Sequence, residues 1–296
     1  MDRLEAMSVL LTAVDAGSLS GASRKLGMPL ATVSRKVSDL EAHLRTRLVN
    51  RTSRRLLLTD AGRSYVAACR RILDDISEVE RAAAGEYVAP RGNLIITAPI
   101  VFGRLHVLPV VLEFLKAYSE IDIRLMVADR VVSLQEHHVH LAVRIGELPD
   151  SSLVATRVGS IGRVVCGSPT YFADRGMPKT PQDLGEHDCI SFDGLVSPDV
   201  WNFARGKSAV AVSVHSRLVV NTAEAAIDAA VAGLGITHLL SYQVANAVQS
   251  GALVLALREF EPPAAPASLV YAGQPPLPLK LRAFLDFAAP RLKARL

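Results

Sequence analysis

Apolar residues recur at three- and four-residue steps from the start of the chain. Leu4, Met7, Leu11 and Val14 predict an amphipathic helix with that stripe buried, opened by an Asp2/Glu5 capping box and stopped at Gly17. Ser18 then caps a short second helix over 19–26, in which Ala22 and Leu26 lie four apart on one side, and Gly27 ends it. A third helix over about 30–44 turns Val33, Val37, Leu40 and Leu44 inward and leaves Thr32, Ser34, Arg35, Lys36 and Asp39 on other faces. Two short helices joined through Gly27-Met28-Pro29 are too close to pack antiparallel. They make a helix-turn-helix, whose second helix has the size of the DNA major groove. The small Ala22 lets the pair approach.

The next pattern is different. Residues 48–58 place apolar strand ends around a basic tip, a hairpin-like wing with Arg51, Arg54 and Arg55 turned to phosphates. From Thr59 onward Tyr65, Cys69, Ile72, Ile76, Val79 and Ala83 alternate four- and three-residue steps, a heptad seam along a rod of about 45 Å. Either this helix packs on its own domain or the same helix of a second subunit covers it; the sustained seam favours the homodimer. Pro90-Arg91-Gly92 breaks the rod. Beyond it strands (94–98, 121–128, 140–144, 164–167, 210–214, 218–220, 269–272) mix with helices (105–118 with Leu108, Leu112 and Leu115 inward, 223–233, 279–289), the sign of a mostly parallel sheet covered by helices.

Composition sharpens this picture. The chain has 296 residues, half of them hydrophobic and 21% charged, enough for two globular units and too apolar for a disordered chain. No uncharged apolar run is long enough to span a membrane; the smoothest stretch, 225–240, contains Asp228. The opening Met1-Asp2-Arg3-Leu4-Glu5 lacks the pattern of a secretion signal, so a cytoplasmic location is expected. Three cysteines at irregular spacing fit a reducing compartment and small buried hydrophobes. Net charge is only +4, yet residues 20–71 carry twelve Lys or Arg against Asp39, Glu41 and Asp60, so the rest of the chain is net acidic. A compact cationic segment is the footprint of a polyanion-binding surface.

With these residues in view the chain resembles the LysR-type transcriptional regulators along essentially its whole length. The resemblance rests on Ser18 through Gly27, Ala31 through Glu41, Leu48 through Arg55 and Leu57 through Gly62, in the family's order and spacing. His140 through Gly146, Gly167 through Tyr171 and Ala229 through Ile236 add to it in the second half. It implies an α+β multidomain chain: a winged helix-turn-helix (1–59), a dimerising linker helix (60–89) and an effector domain (90–296) of periplasmic-binding-protein architecture. Its two α/β lobes would be 92–160 with 267–296, and 161–266, with a small-molecule effector between them. It further implies a partly palindromic double-stranded DNA operator, tetramers made of dimers, and RNA polymerase as a partner. The chain departs from the family pattern at Pro29-Leu30-Ala31, where an amide side chain is common, at Arg45, where a glycine usually ends the helix, and at His140 and Leu240.

The candidate residues follow. Ser18, Pro29, Leu30, Ala31, Thr32, Ser34, Arg35 and Lys36, with Arg51, Arg54 and Arg55, form the DNA-binding set; Leu30 and Thr32 can still meet thymine methyls. In the effector domain, strand carboxyl ends and helix N-termini single out Pro99, Ile100, Val101, Phe102, Asp129, Arg144, Gly146, Asn221 and Thr222. Arg144 can hold a carboxylate or a structural ion pair, and Trp201, with Phe203, lines the cleft or fills the second-lobe core. Ile100 and Val101 stand where the family often has a hydroxyl, pointing to a less polar ligand or another anchor. His137, His138 and His140 do not converge as a metal cluster should, and His187 with Cys189 reads as an ordinary strand entry rather than a nucleophile pair. No metal or cofactor is expected. A solute-binding protein and an enzyme with a regulatory N-terminus are the rival classes. The basic N-terminal segment argues against the first, and the lack of a phosphate loop, paired carboxylates or nucleophile–base set argues against the second.

Overall fold

The computed structural model describes residues 2–51, 56–83, 89–130, 133–134, 139–148, 152–192, 199–206, 208–273 and 277–296, with backbone alone at 51, 75, 78, 79 and 81–83. The chain divides into two units, residues 1–89 and 90–296. The first holds α1 (Arg3–Asp15), α2 (Leu19–Leu26), α3 (Leu30–Leu44), an antiparallel wing of β1 (Val49–Arg51) and β2 (Leu56–Leu58), and α4 (Asp60–Ala83). Asp2 caps α1 by accepting from Leu4 and Glu5 N–H groups. The expected Glu5 half of the capping box does not form, because Glu5 reaches Lys36 of α3 instead, 2.5 Å away. The buried face of α1 also sits one residue off the predicted stripe: Ala6, Val9, Leu10 and Ala13 are enclosed, and Leu4 is exposed. The reason is packing distance. Alanines let α1 come close to α2 and α3, and the larger Leu11 and Val14 fill the flanks. The core then closes on Ala22, Val33, Val37, Leu40, Leu48, Val49 and Val66.

Two mixed five-stranded sheets make the second unit, which corrects the expectation of mostly parallel strands. The first lobe has β3 (Gly92–Ala98), β4 (Ile121–Val127), β5 (Leu141–Ile145), β6 (Leu153–Ile161) and β14 (Ala265–Ala272), in the order β4-β3-β5-β14-β6. Its first three strands in that order run parallel; β14 returns from the far end of the chain antiparallel to both β5 and β6. The second lobe has β7 (Arg163–Gly167), β8 (Cys189–Phe192), β11 (Ser216–Val220), β12 (Ile236–Leu240) and β13 (Val254–Ala256), in the order β11-β8-β12-β7-β13, with a hairpin of β9 (Val200–Arg205) and β10 (Ser208–Ser213). Helices α7 (Pro169–Arg175), α8 (Ala223–Val231) and α9 (Ser241–Gln249) belong to this lobe, while α10 (Leu279–Lys293) packs on the first.

The helix expected at 105–118 starts earlier. α5 (Ile100–Phe102) runs through a π turn (Gly103–Val107) straight into α6 (Leu108–Ala117). Pro109 has no N–H to give to a carbonyl one turn back, and the wide turn absorbs that defect, with Leu108 N–H reaching Gly103 O. The extra residue rotates the helix. Val110, Val111 and Phe114 face the core, and the predicted inward residues Leu108 and Leu112 are exposed.

Candidate nucleic-acid interface and inter-lobe site

The helix pair is set by local chemistry. Ser18 Oγ accepts from Gly21 N–H at 3.0 Å, leaving only its hydroxyl proton for a phosphate. α2 stops at Gly27 in the left-handed conformation, and Ser23 locks the turn by donating its hydroxyl to Met28 O and accepting Met28 N–H on its own carbonyl. Ala22 at the crossing is fully buried. α3 therefore projects Pro29, Leu30, Ala31 and Arg35 to solvent, with Thr32 and Ser34 half-buried beside them. Lys36 is different from its neighbours: its ammonium is held by Glu5 and is not a free cation on this face. The side chains of Arg51, Arg54 and Arg55 lie outside the described residues.

Two positioning groups escaped the sequence reading. Glu41, an acid inside the basic segment, accepts the backbone N–H groups of Leu48 and Val49 at 2.8 and 3.0 Å, fastening the end of α3 to the start of the wing. Thr59 donates to Arg47 O and accepts from Gly62 N–H, fixing the wing's exit. Gly62 is held in turn: a Cβ there would lie 1.9 Å from Leu48 O. Charge placement was the available signal for Glu41; nothing in the sequence pattern marks the Gly62 contact.

The linker seam is partly covered by its own domain, which corrects the expectation of an open stripe. Cys69 is fully buried, Tyr65 packs on the helix-turn-helix core, and Arg70 pairs with Asp15 of α1. Ile72, 37% exposed, is the first large apolar residue beyond that cover, and Ile76 is half-buried. The side chains of Val79 and Ala83 lie outside the described residues.

In the second unit the two lobes interlock. Val101 of the first lobe is buried in the core of the second, and Leu240 packs into the core of the first. Phe102, His106 and Tyr242 form a three-ring cluster with centroids 4.7, 5.4 and 5.6 Å apart. Asp129, at the carboxyl end of β4, accepts Ile100 N–H at 2.9 Å on one oxygen and so caps the first turn of α5. Its other oxygen, the Tyr242 hydroxyl and His106 Nε2 are buried with no partner among the described residues. Burial holds the Asp129 acid above its ordinary range; the Ile100 N–H opposes that shift, and the charge of Glu224, from the other lobe, adds to it. Tyr242 is raised by burial and by Asp129. The predicted Pro99–Phe102 segment and Asp129 thus come together. Thr222 caps α8 next to Glu224, Asn221 is exposed, and Gly146 closes β5 with a positive φ of 122°. Arg144 is half-buried, and that burial lowers its pKa. Tyr242 was missed, although it stands just past the carboxyl end of β12, where such sites form.

Trp201 does not line the cleft. It is buried in the second-lobe core with Phe203, and the two rings flank His238 at 5.3 and 5.1 Å. Burial pushes His238 down to about 3, and the nearby Arg163 charge adds to this. Cys189 is buried under the carbonyls of Leu184 and His187, its thiol raised to about 12, while His187 Nδ1 meets the Tyr171 hydroxyl. No nucleophile pair forms. His140 bonds Ile95 through both backbone and ring, and His137 and His138 lie outside the described residues. Among the described residues no group of side chains is arranged for a metal, and no helix is long and apolar enough to cross a membrane.

A winged helix-turn-helix followed by a two-lobed α/β domain with unpaired polar groups at the lobe junction defines a ligand-responsive transcription regulator. Residues 4–63 match the model of the bacterial regulatory helix-turn-helix protein, lysR family, and residues 89–293 match the LysR substrate binding domain. The chain belongs to the LysR-type transcriptional regulator family. It is 35% identical over 289 residues to an HTH-type transcriptional repressor of Pseudomonas aeruginosa, covering 97% of this chain and 91% of that one. It is 32% identical over 294 residues to the regulator CrgA of Neisseria meningitidis, covering 97% and 96%. The solved structure of CrgA superposes with a TM-score of 0.62 at 29% identity over 97% of this chain and 98% of that one. Full-length AphB, a virulence activator of Vibrio cholerae, gives 0.62 at 26% identity over 96% and 98%.

Proposed function

We propose that this regulator binds a partly palindromic operator as a homodimer, with α3 in the major groove, and that a small effector held at the lobe junction shifts its action on transcription. The exposed leading edge of α3, set in a cationic segment, carries this reading. Leu30, Thr32 and Ser34 face the groove, Arg35 reaches from its edge to a phosphate, Ser18 and the wing arginines Arg51, Arg54 and Arg55 track phosphates, and Lys36 serves the fold through Glu5. Ile72 and Ile76 begin the subunit contact, Val79 and Ala83 continue it, and pairs of dimers give a tetramer. Two subunits related by symmetry read two half-sites. RNA polymerase is the partner through which bound protein changes transcription. The work is regulation and not catalysis, and its place is the cytoplasm with the chromosome.

The effector site comprises Pro99–Phe102, Asp129, Tyr242 and the start of α8. A ligand there acts only by binding one arrangement of the protein better than another. The DNA reading is tested by mobility shift with genomic fragments at several salt concentrations. Arg35→Ala is expected to weaken binding and to reduce the slope of log affinity against log salt by about one per subunit, since each phosphate contact releases counterions. Equal affinity and equal slope at every salt concentration would remove Arg35 from the interface.

A further inference from the structure

The turn into α3 and its first residues have an unusual surface for the middle of the most basic stretch of the chain. Met28 is half-buried, and Pro29, Leu30 and Ala31 that follow are all exposed, with Leu30 at 47%. A single exposed leucine is ordinary on a protein surface. Consecutive apolar residues left in water are not, unless they meet something. Arg24, Lys25 and Arg35 are exposed nearby, so whatever meets this tip also meets positive charge. A nucleic acid satisfies both conditions.

Hydrogen-bonding capacity at the tip is correspondingly poor. Pro29 caps α3 with its carbonyl alone and makes no side-chain bond. No amide side chain is present to read adenine, Thr32 and Ser34 are half-buried, and Lys36 is engaged by Glu5. On the floor of the major groove the one apolar group is the thymine 5-methyl. We propose that Leu30, flanked by Pro29 and Ala31, reads thymine 5-methyl groups, so that this regulator selects sequence at the leading edge of α3 by apolar contact. This rests on the placement of α3 in the major groove argued above. The core beneath the tip is built by Val33, Val37 and Leu40, so truncating Leu30 leaves the domain folded.

The test separates the two claims. Genomic fragments retained by the full-length protein are copied with deoxyuridine in place of thymidine, which removes every 5-methyl and leaves base pairing intact. Burying one methyl contributes about fourfold in affinity, so the unaltered protein is expected to bind uracil DNA about fifteenfold more weakly when two half-sites are read. Leu30→Ala is expected to bind thymine DNA about as weakly as the unaltered protein binds uracil DNA, with little further loss on uracil DNA. Leu30→Met, which keeps an apolar reach, retains most of the thymine preference. Equal binding of both DNAs by the unaltered protein overturns the assignment. So does a Leu30→Ala variant that keeps the full thymine-to-uracil ratio, since the methyls are then sensed elsewhere or through duplex stiffness. If no thymine fragment is retained at all, the placement of α3 falls and this inference with it.

Discussion

The DNA-reading unit and the lobe junction are built in opposite ways. The polar contacts described around α3 and the wing join residues no more than a few dozen apart: Ser23 to Met28, Glu5 to Lys36, Glu41 to Leu48 and Val49, Thr59 to Gly62. The junction instead gathers Ile100, Asp129, Arg163, Glu224 and Tyr242 from strands and helices far apart in the chain. The local unit is built as a small reader whose geometry is guarded by the close approach of Gly62 to the Leu48 backbone. The non-local one joins two separately cored lobes through a few interlocked side chains and keeps buried polar atoms unpaired. Rigidity suits reading a fixed duplex; a loosely satisfied junction suits a ligand that changes the balance between arrangements.

The sharpest way to break this contrast is Gly62→Ala. The new Cβ would collide with the Leu48 carbonyl, a backbone atom that cannot swing aside, and a loss of about 3 kcal/mol is expected in the unfolding of residues 1–89. Urea unfolding followed separately in the two units checks it: the transition of residues 90–296 should stay where it was. A comparable shift in both would show that the units fold as one.

Next in size is an acid effect confined to the second lobe. His238 is neutral when folded, with its pKa depressed to about 3 from the ordinary 6.5. Its contribution is therefore present above about pH 6.5 and is lost as pH falls from there toward 3, at up to about 1.4 kcal/mol per pH unit, or about 2 kcal/mol by pH 5. His238→Phe removes a nitrogen that has no partner and should flatten stability against pH over that window, read by thermal unfolding between pH 5 and 7. An unchanged acid limb would place the titrating group elsewhere. The smallest expected effect sharpens the local side of the comparison. Arg45 ends α3 with φ 51°, a left-handed conformation that glycine adopts without strain. Arg45→Gly is expected to stabilise the first unit by about 0.5–1 kcal/mol, measured by urea midpoint.

That same division decides what was legible in the sequence. Gly27, Ala22 and the Val33–Val37–Leu40 stripe announce the helix pair, because a short-range motif writes its geometry into residue spacing. Arg45 was recognisable as an odd residue at a helix end. The face of α1 was misread by one residue because hydrophobicity does not show how closely alanines let helices approach. The face of α6 was misread because a π turn resets the register, and Pro109 was its only trace. In the lobes, strand positions such as 121–128 and 164–167 were readable, but β6, β9, β12 and β13, together with α7 and α9, were not. β14 comes back more than a hundred residues after β5 to lie between it and β6; no periodicity encodes that return, which only the family resemblance implied through the pairing of 92–160 with 267–296. Asp129 was found by the rule that ligands gather at strand carboxyl ends; Tyr242 obeys the same rule but follows a strand that had not been identified. Trp201 was placed on both sides of the choice, and the β9–β10 hairpin settles it in the core.

The Glu5–Lys36 pair has a consequence for how the protein travels. Lys36 is tied to Glu5, as Arg63 is to Asp60 and Arg70 to Asp15, so contact with random duplex is expected to release fewer counterions than the lysine and arginine content of the basic segment suggests. Shorter stays on irrelevant DNA would shorten the hunt through a genome, and the proposed thymine contact of Leu30, indifferent to phosphate, would add grip only where the right base lies beneath it.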